Sequence, residues 1–133
     1  AANRHCRRPV VTAAFDEMSF LAPIQVGQLA LLEAHITLVD HSSMEICVNV
    51  ESEDLLSGER RHTSTAYVTF VAPDPVTRRP TPVSPLVLET DAEREENARA
   101  LERRRLRLER RTGGARPKRE RRDDLPSHRA AAA

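Results

Sequence analysis

The sequence predicts an α+β domain, an antiparallel sheet followed by one charged helix. Three observations lead there. Four stretches between residues 10 and 72 are rich in apolar and β-branched residues, with a period close to two. The connections between them are short and polar, which suits hairpins and not crossover helices. A helix-start signal comes only at Thr90, after a proline-rich break.

The chain has 133 residues, room for one domain with one core. Its averages, 39% apolar and 31% charged, conceal two unlike halves. Val, Leu, Ala, Thr and Ile dominate residues 9–88, whereas Arg and Glu dominate residues 89–129. The organisation expected is therefore a folded domain over 1–88, a charged helix over 89–112 and a tail over 113–133. That tail has too little apolar content to fold.

In chain order, residues 10–20 (VVTAAFDEMSF) read as a strand, and Pro23 and Gly27 bracket a turn. Residues 28–39 (QLALLEAHITLV) read as a half-buried strand. Ala30, Leu32, Ala34, Ile36 and Leu38 fall on one face, with Glu33, His35 and Thr37 on the other. Asp40-His41-Ser42-Ser43 is a polar turn. Over residues 44–51, Met44, Ile46, Val48 and Val50 oppose Glu45, Cys47, Asn49 and Glu51. The loop at Ser57-Gly58-Glu59 leads into a last strand over 62–72. Pro73, Pro75, Pro80, Pro82 and Pro85 then impose an extended path. Thr90 and Glu93 form a capping box for a helix reaching about Arg111, before Gly113-Gly114. On that helix Ala92, Ala98, Leu101, Leu106 and Leu108 could dock. It is too polar to cover the sheet's apolar face, so that cover is expected from a partner chain or from a helix preceding Ala1.

Composition removes several function classes. A net charge of +1 gives no global field toward nucleic acid or membrane. No apolar run approaches the roughly 20 residues of a membrane span, and no signal-peptide pattern occurs. Cys6 and Cys47 lack metal-type spacing and read as free thiols of a cytoplasmic protein. No G-x-S-x-G, Walker, H-E-x-x-H or C-x-x-C motif is found, so no metal site is expected. His5 and His62 read as surface or strand-face histidines. Asp16 reads as an outward carboxylate on a half-exposed strand in preference to a general base. The arginines 103–105, 107, 110 and 111 are broken by Glu102 and Glu109 and carry no interleaved aromatics. They read as a solvated helix with i,i+4 pairs in preference to an RNA grip. Ser42-Ser43 fits either a plain turn or a phosphate-facing pair of hydroxyls and N–H groups.

Three stretches, in order, carry a family resemblance: Arg4-His5-Cys6 followed by VVTAAFDEMSFLAPIQVGQLALLEAHI; HSSMEICVNVESEDLLSGERRHTSTAYVTFVA; and RRPTPVSPLVLET before the charged helix. Over residues 1–111 the sequence resembles the hotdog-fold acyl-CoA thioesterases of the cytosolic long-chain (brain-type) acyl-CoA hydrolase family. The resemblance implies a hotdog fold, a curved antiparallel sheet around one apolar central helix. That helix would end at Arg4-His5-Cys6, with its greater part, a glycine-rich turn and the first strand upstream of Ala1. It implies hydrolysis of fatty acyl-CoA to free fatty acid and coenzyme A. The family's catalytic aspartate would lie upstream of Ala1; Asp16 does not match it, so no catalytic residue is assigned. Ser43 matches the coenzyme A groove most closely, with Ser42 and His41 at positions where relatives vary. Thr77 and Ser84 stand where the family usually has Gly and Pro. No cofactor is implied, since coenzyme A is part of substrate and product. The partners implied are acyl-CoA and further copies of the chain, as a dimer of hotdogs and a trimer of dimers, with no nucleic acid or membrane. The alternative is a non-catalytic, coenzyme A-binding or assembly subunit lacking its own carboxylate.

Overall fold

Each of the four alternating stretches forms a strand in the computed structural model, which describes residues 1–113. They are β1 (Val11–Phe20), β2 (Leu29–Asp40), β3 (Ser43–Glu53) and β4 (Arg60–Val71), all within two residues of the expected bounds. The sheet is antiparallel throughout, in the order β1-β4-β3-β2. A single helical turn, α1 (Ala2–Cys6), precedes it, and a long helix, α2 (Asp91–Gly113), follows it. The expectation for residues 114–133 lies outside the described residues.

The inner face carries the apolar side chains of the alternating pattern. Met44 and Ile46 of β3 are buried there with Ala2 of α1, Ala72 and Val83. Ile36, Val39 and Phe70 pack around them. α1 closes at Arg7, which is left-handed (φ 55°) and donates its N–H to the Asn3 carbonyl at 2.8 Å. The proline segment returns over the same end of the sheet. Thr81 N–H donates to the Ala72 carbonyl at 2.9 Å and Val83 N–H to the His41 carbonyl at 2.7 Å, which seats Val83 in the core. Farther along, this face is open. Phe15 pairs with Val68 and Phe20 with Ser64, yet they are 68% and 74% exposed. Nothing among the described residues covers them, in agreement with the sequence expectation.

α2 lies on the opposite, outer face, and here two expectations need correction. The residue that docks is Ala100, fully buried, while Ala92, Ala98, Leu101, Leu106 and Leu108 stay exposed. The alternation in β2 also fails at its end. A register shift between Ile36 and Leu38 places Leu38 opposite Glu45, on the outer face and buried. The helix start is as expected. Thr90 Oγ1 accepts from Glu93 N–H at 3.2 Å, and the Glu93 carboxylate accepts from the N–H groups of Glu89 (2.8 Å) and Thr90 (2.9 Å).

Two loops share one construction. Asp54 Oδ1 accepts from the N–H groups of Leu56 and Ser57, both at 2.9 Å. Asp74 Oδ1 accepts from those of Val76 (2.9 Å) and Thr77 (2.7 Å). These backbone donors hold both carboxylates below their ordinary pKa. The left-handed residue is Gly58 (φ 71°) in the first loop and Arg78 (φ 60°) in the second. The strained position of the proline segment is thus Arg78, and Thr77 makes its turn contact without needing glycine.

Candidate functional site

The outer face holds most of the buried charge, and α2 organises it. Glu45 of β3 is 2% exposed. Its carboxylate accepts from Thr37 Oγ1 at 2.7 Å and from the Arg103 guanidinium at 2.7 Å. Arg103 also stacks over Tyr67, 3.7 Å from the ring centroid. Burial works against the Arg103 charge, but the hydrogen bond and charge of Glu45 outweigh it and raise the Arg103 pKa. Burial, followed by the neighbouring Cys47, raises the Tyr67 pKa as well.

Two further arginines pin the helix toward the hairpin end. Arg104 pairs with Asp40 at the close of β2, and Arg107 pairs with Asp16 of β1. Asp16 also accepts a hydrogen bond from Thr69 at 3.4 Å. Asp16 points to the outer face of a largely exposed strand, as read from the sequence, but its own side chain is only 10% exposed because α2 covers it. Pinned by Arg107, it is not placed as a general base. The reading of α2 as a solvated helix is corrected in part. Arg105 does form i−3 and i+4 pairs with Glu102 and Glu109, whereas Arg103, Arg104 and Arg107 face the sheet.

Between this part of α2 and the sheet runs a groove of about 430 Å³. Arg104, Arg107, Leu108 and Arg111 line it from the helix, and Ser43 and Thr69 line it from the sheet. Burial and then the nearby Arg111 charge lower the Arg107 pKa. Small residues, Ala13 and Ala14, leave room on the β1 side. Two hydroxyls and three guanidinium groups, two of them balanced by carboxylates, suit an anionic ligand with an extended phosphate chain.

The structure divides the expected site residues. Ser43 faces the groove. His41 and Ser42 form the two-residue turn and use their carbonyls, which accept from Val83 and Ala72, to hold the proline segment. His5 lies elsewhere, with Nε2 2.8 Å from the Ser84 carbonyl, and His62 sits 3.0 Å from Thr65 Oγ1. The groove arginines were missed as site residues because they read as solvent charge. One signal could have found them: Glu96, Asn97, Ala100, Arg103, Arg104, Arg107 and Arg111 repeat with helical period, a polar stripe where an apolar one is normally sought.

Comparison with known proteins places this geometry. Residues 1–59 match the thioesterase superfamily. The chain is 45% identical over 93 residues to the uncharacterized acyl-CoA thioester hydrolase YkhA of Bacillus subtilis, a match covering 70% of this chain and 54% of that protein. The chain thus spans about half the length of that relative. Among solved structures, a hexameric acyl-CoA thioesterase superposes with a TM-score of 0.77 at 34% identity, covering 83% of this chain and 70% of the other. The acyl-CoA hydrolase of Staphylococcus aureus, solved with butyryl coenzyme A, coenzyme A and coenzyme A disulfide, superposes with a TM-score of 0.75 at 31% identity, covering 84% and 68%.

Proposed function

The chain belongs to the thioesterase superfamily, among its hotdog-fold acyl-CoA hydrolases, and from that premise we propose that the protein hydrolyses fatty acyl-CoA to free fatty acid and coenzyme A. The observation that carries this reading is the similarity over most of the chain to hydrolases of that class, one of them solved with coenzyme A and an acyl-CoA. The groove at Ser43 supports it. Its arginines and hydroxyls are suited to the phosphates of coenzyme A, with Ser43 as the nearest hairpin contact and Ser42 and His41 shaping the turn.

In the reaction, water adds to the thioester carbonyl, the carbon–sulfur bond breaks, and the products are a carboxylate, a proton and the thiol of coenzyme A. The groove's part is to bind and orient the nucleotide end. The family resemblance assigns the general base and the carbonyl-polarising donors to a central helix and a glycine-rich turn. The exposed apolar stretch of the inner face, around Phe15 and Phe20, is consistent with such a helix. The same reading gives a dimer of hotdog domains assembled as a trimer of dimers, with the hexameric relative as precedent. No helix among the described residues is long and apolar enough to cross a membrane. Two free thiols, Cys6 and Cys47, favour the cytoplasm.

Release of thiol from a panel of acyl-CoAs by the full-length protein, followed with a thiol reagent, tests the activity. Absence of release, with coenzyme A still bound, would favour the non-catalytic subunit. Substituting Arg111→Ala tests the groove: KM for acyl-CoA should rise roughly tenfold with kcat little changed. The variant should not alter KM for an acyl-pantetheine, which lacks the nucleotide phosphates; an equal effect on both substrates refutes the assignment.

A further inference from the structure

Away from the arginine groove, three elements bring metal-capable side chains to one point of the outer face. His35 of β2 and Cys47 of β3 are direct cross-strand partners. Glu96, near the start of α2, reaches the same spot, with its carboxylate oxygens 2.9 and 3.0 Å from His35 Nε2. One ligand atom from each of the three residues lies within 4.8 Å of the others. Tetrahedral zinc has bonds of about 2.0–2.3 Å, which separates its ligand atoms by roughly 3.5 Å. To hold an ion, the His35–Glu96 edge must open by about half an ångström, and the edges to Cys47 need close by at most little more than an ångström.

We propose that His35, Cys47 and Glu96 form a divalent-metal site of the zinc type, with water as fourth ligand, that clasps α2 onto β2 and β3. The donor set is one imidazole, one thiolate and one carboxylate, a mixture that suits zinc over magnesium or calcium. Charge favours a cation. The carboxylate of Glu96 belongs to the site, and the nearby cation Arg103 is matched by Glu45 at 2.7 Å, which leaves the Glu96 charge for an ion. The Cys47 thiol is held up chiefly by burial and then by the Glu96 charge, so the metal-free site keeps its proton and binding must release it. Access comes from the solvent side, where the His35 and Glu96 side chains are 47% and 32% exposed. A small cleft beside Leu86, Val87 and Leu88 opens there. Without an ion, His35 and Glu96 simply pair with each other, and Cys47 has no part in that contact. The involvement of the thiol is what separates the two readings.

Cobalt(II) is the probe. Titrated into the reduced full-length protein, it should saturate at one equivalent, giving a near-ultraviolet thiolate-to-cobalt charge-transfer band and the visible bands of a tetrahedral ion. Zinc should displace it. Cys47→Ser should lose the charge-transfer band, Glu96→Gln should weaken cobalt binding at least about tenfold, and Cys6→Ser should leave both unchanged. At equal zinc concentration the melting temperature of the wild type and of Cys6→Ser should rise more than that of Glu96→Gln. Far-ultraviolet circular dichroism of each metal-free variant separates loss of binding from loss of fold. The site is refuted if no thiolate band forms, or if the band survives Cys47→Ser in a folded protein.

Discussion

The two faces of the sheet are held by different physics. On the inner face, burial is apolar and incomplete: Met44 and Ile46 are sealed under Ala2 and Val83, while Phe15 and Phe20 stand open a few residues away. On the outer face the cover is a helix with hardly any apolar surface to offer. There Ala100 allows close approach, and Arg103, Arg104 and Arg107 each find a carboxylate of the sheet. A hydrophobic seal tolerates gradual loss. A buried ion pair does not, because removing one partner strands the other in a medium that solvates it poorly.

The sharpest way to break this comparison is to remove Arg103. Arg103→Ala leaves the Glu45 carboxylate, 2% exposed, with only Thr37 as a side-chain donor among the described residues, and should cost about 3–5 kcal/mol in urea denaturation. A double variant, Arg103→Met with Glu45→Leu, removes both charges and should recover most of that loss. A cost below about 1 kcal/mol for the single variant would mean that the outer face is not held by this pair. The inner face should respond less steeply. Met44→Ala deletes a fully buried side chain and should cost about 2–3 kcal/mol. That is the lower part of the usual range, because the open half of the face lets neighbours move into the space. Equal or greater loss at Met44 would invert the comparison.

The same contrast explains what could be read from the sequence. The inner face was legible because alternation and burial carry the same signal: Met44, Ile46, Val48 and Val50 point one way in the string and in the sheet. The hairpin at His41-Ser42 and the capping box at Thr90 and Glu93 were legible for a similar reason, since each is a local device. The outer face was not. Its ion pairs join residues far apart in the chain, such as Asp16 with Arg107, and an arginine bound for a buried carboxylate looks the same in sequence as one bound for water. The bulge that turns Leu38 outward was hidden too, because a period-two pattern gives no sign of one extra residue. Hence Ser43 could be singled out at the groove while Arg104, Arg107 and Arg111 could not.

The smallest effect sharpens the comparison at the point where α2 begins. Thr90→Ala removes the acceptor of the Glu93 N–H and should cost about 1 kcal/mol, read as stability in urea and as lost helix signal. Its partner Glu93 adds a pH dependence. The N–H groups of Thr90 and Glu89 hold the Glu93 carboxyl below its ordinary value. A carboxyl with a depressed folded pKa contributes stability above its unfolded pKa, near about 4.3, and loses that contribution as pH falls through the folded value. Acid should therefore loosen the first turn of α2. The Thr90 amide, followed by NMR, should shift as pH falls below about 4. In Glu93→Gln, which keeps the side-chain acceptor without a titrating proton, that step should vanish. The acid response of the Asp54 and Asp74 turns, whose carboxylates are lowered by the same kind of backbone donors, should persist. If the Thr90 amide titrates unchanged in Glu93→Gln, the start of the helix is governed by a charge other than its own cap.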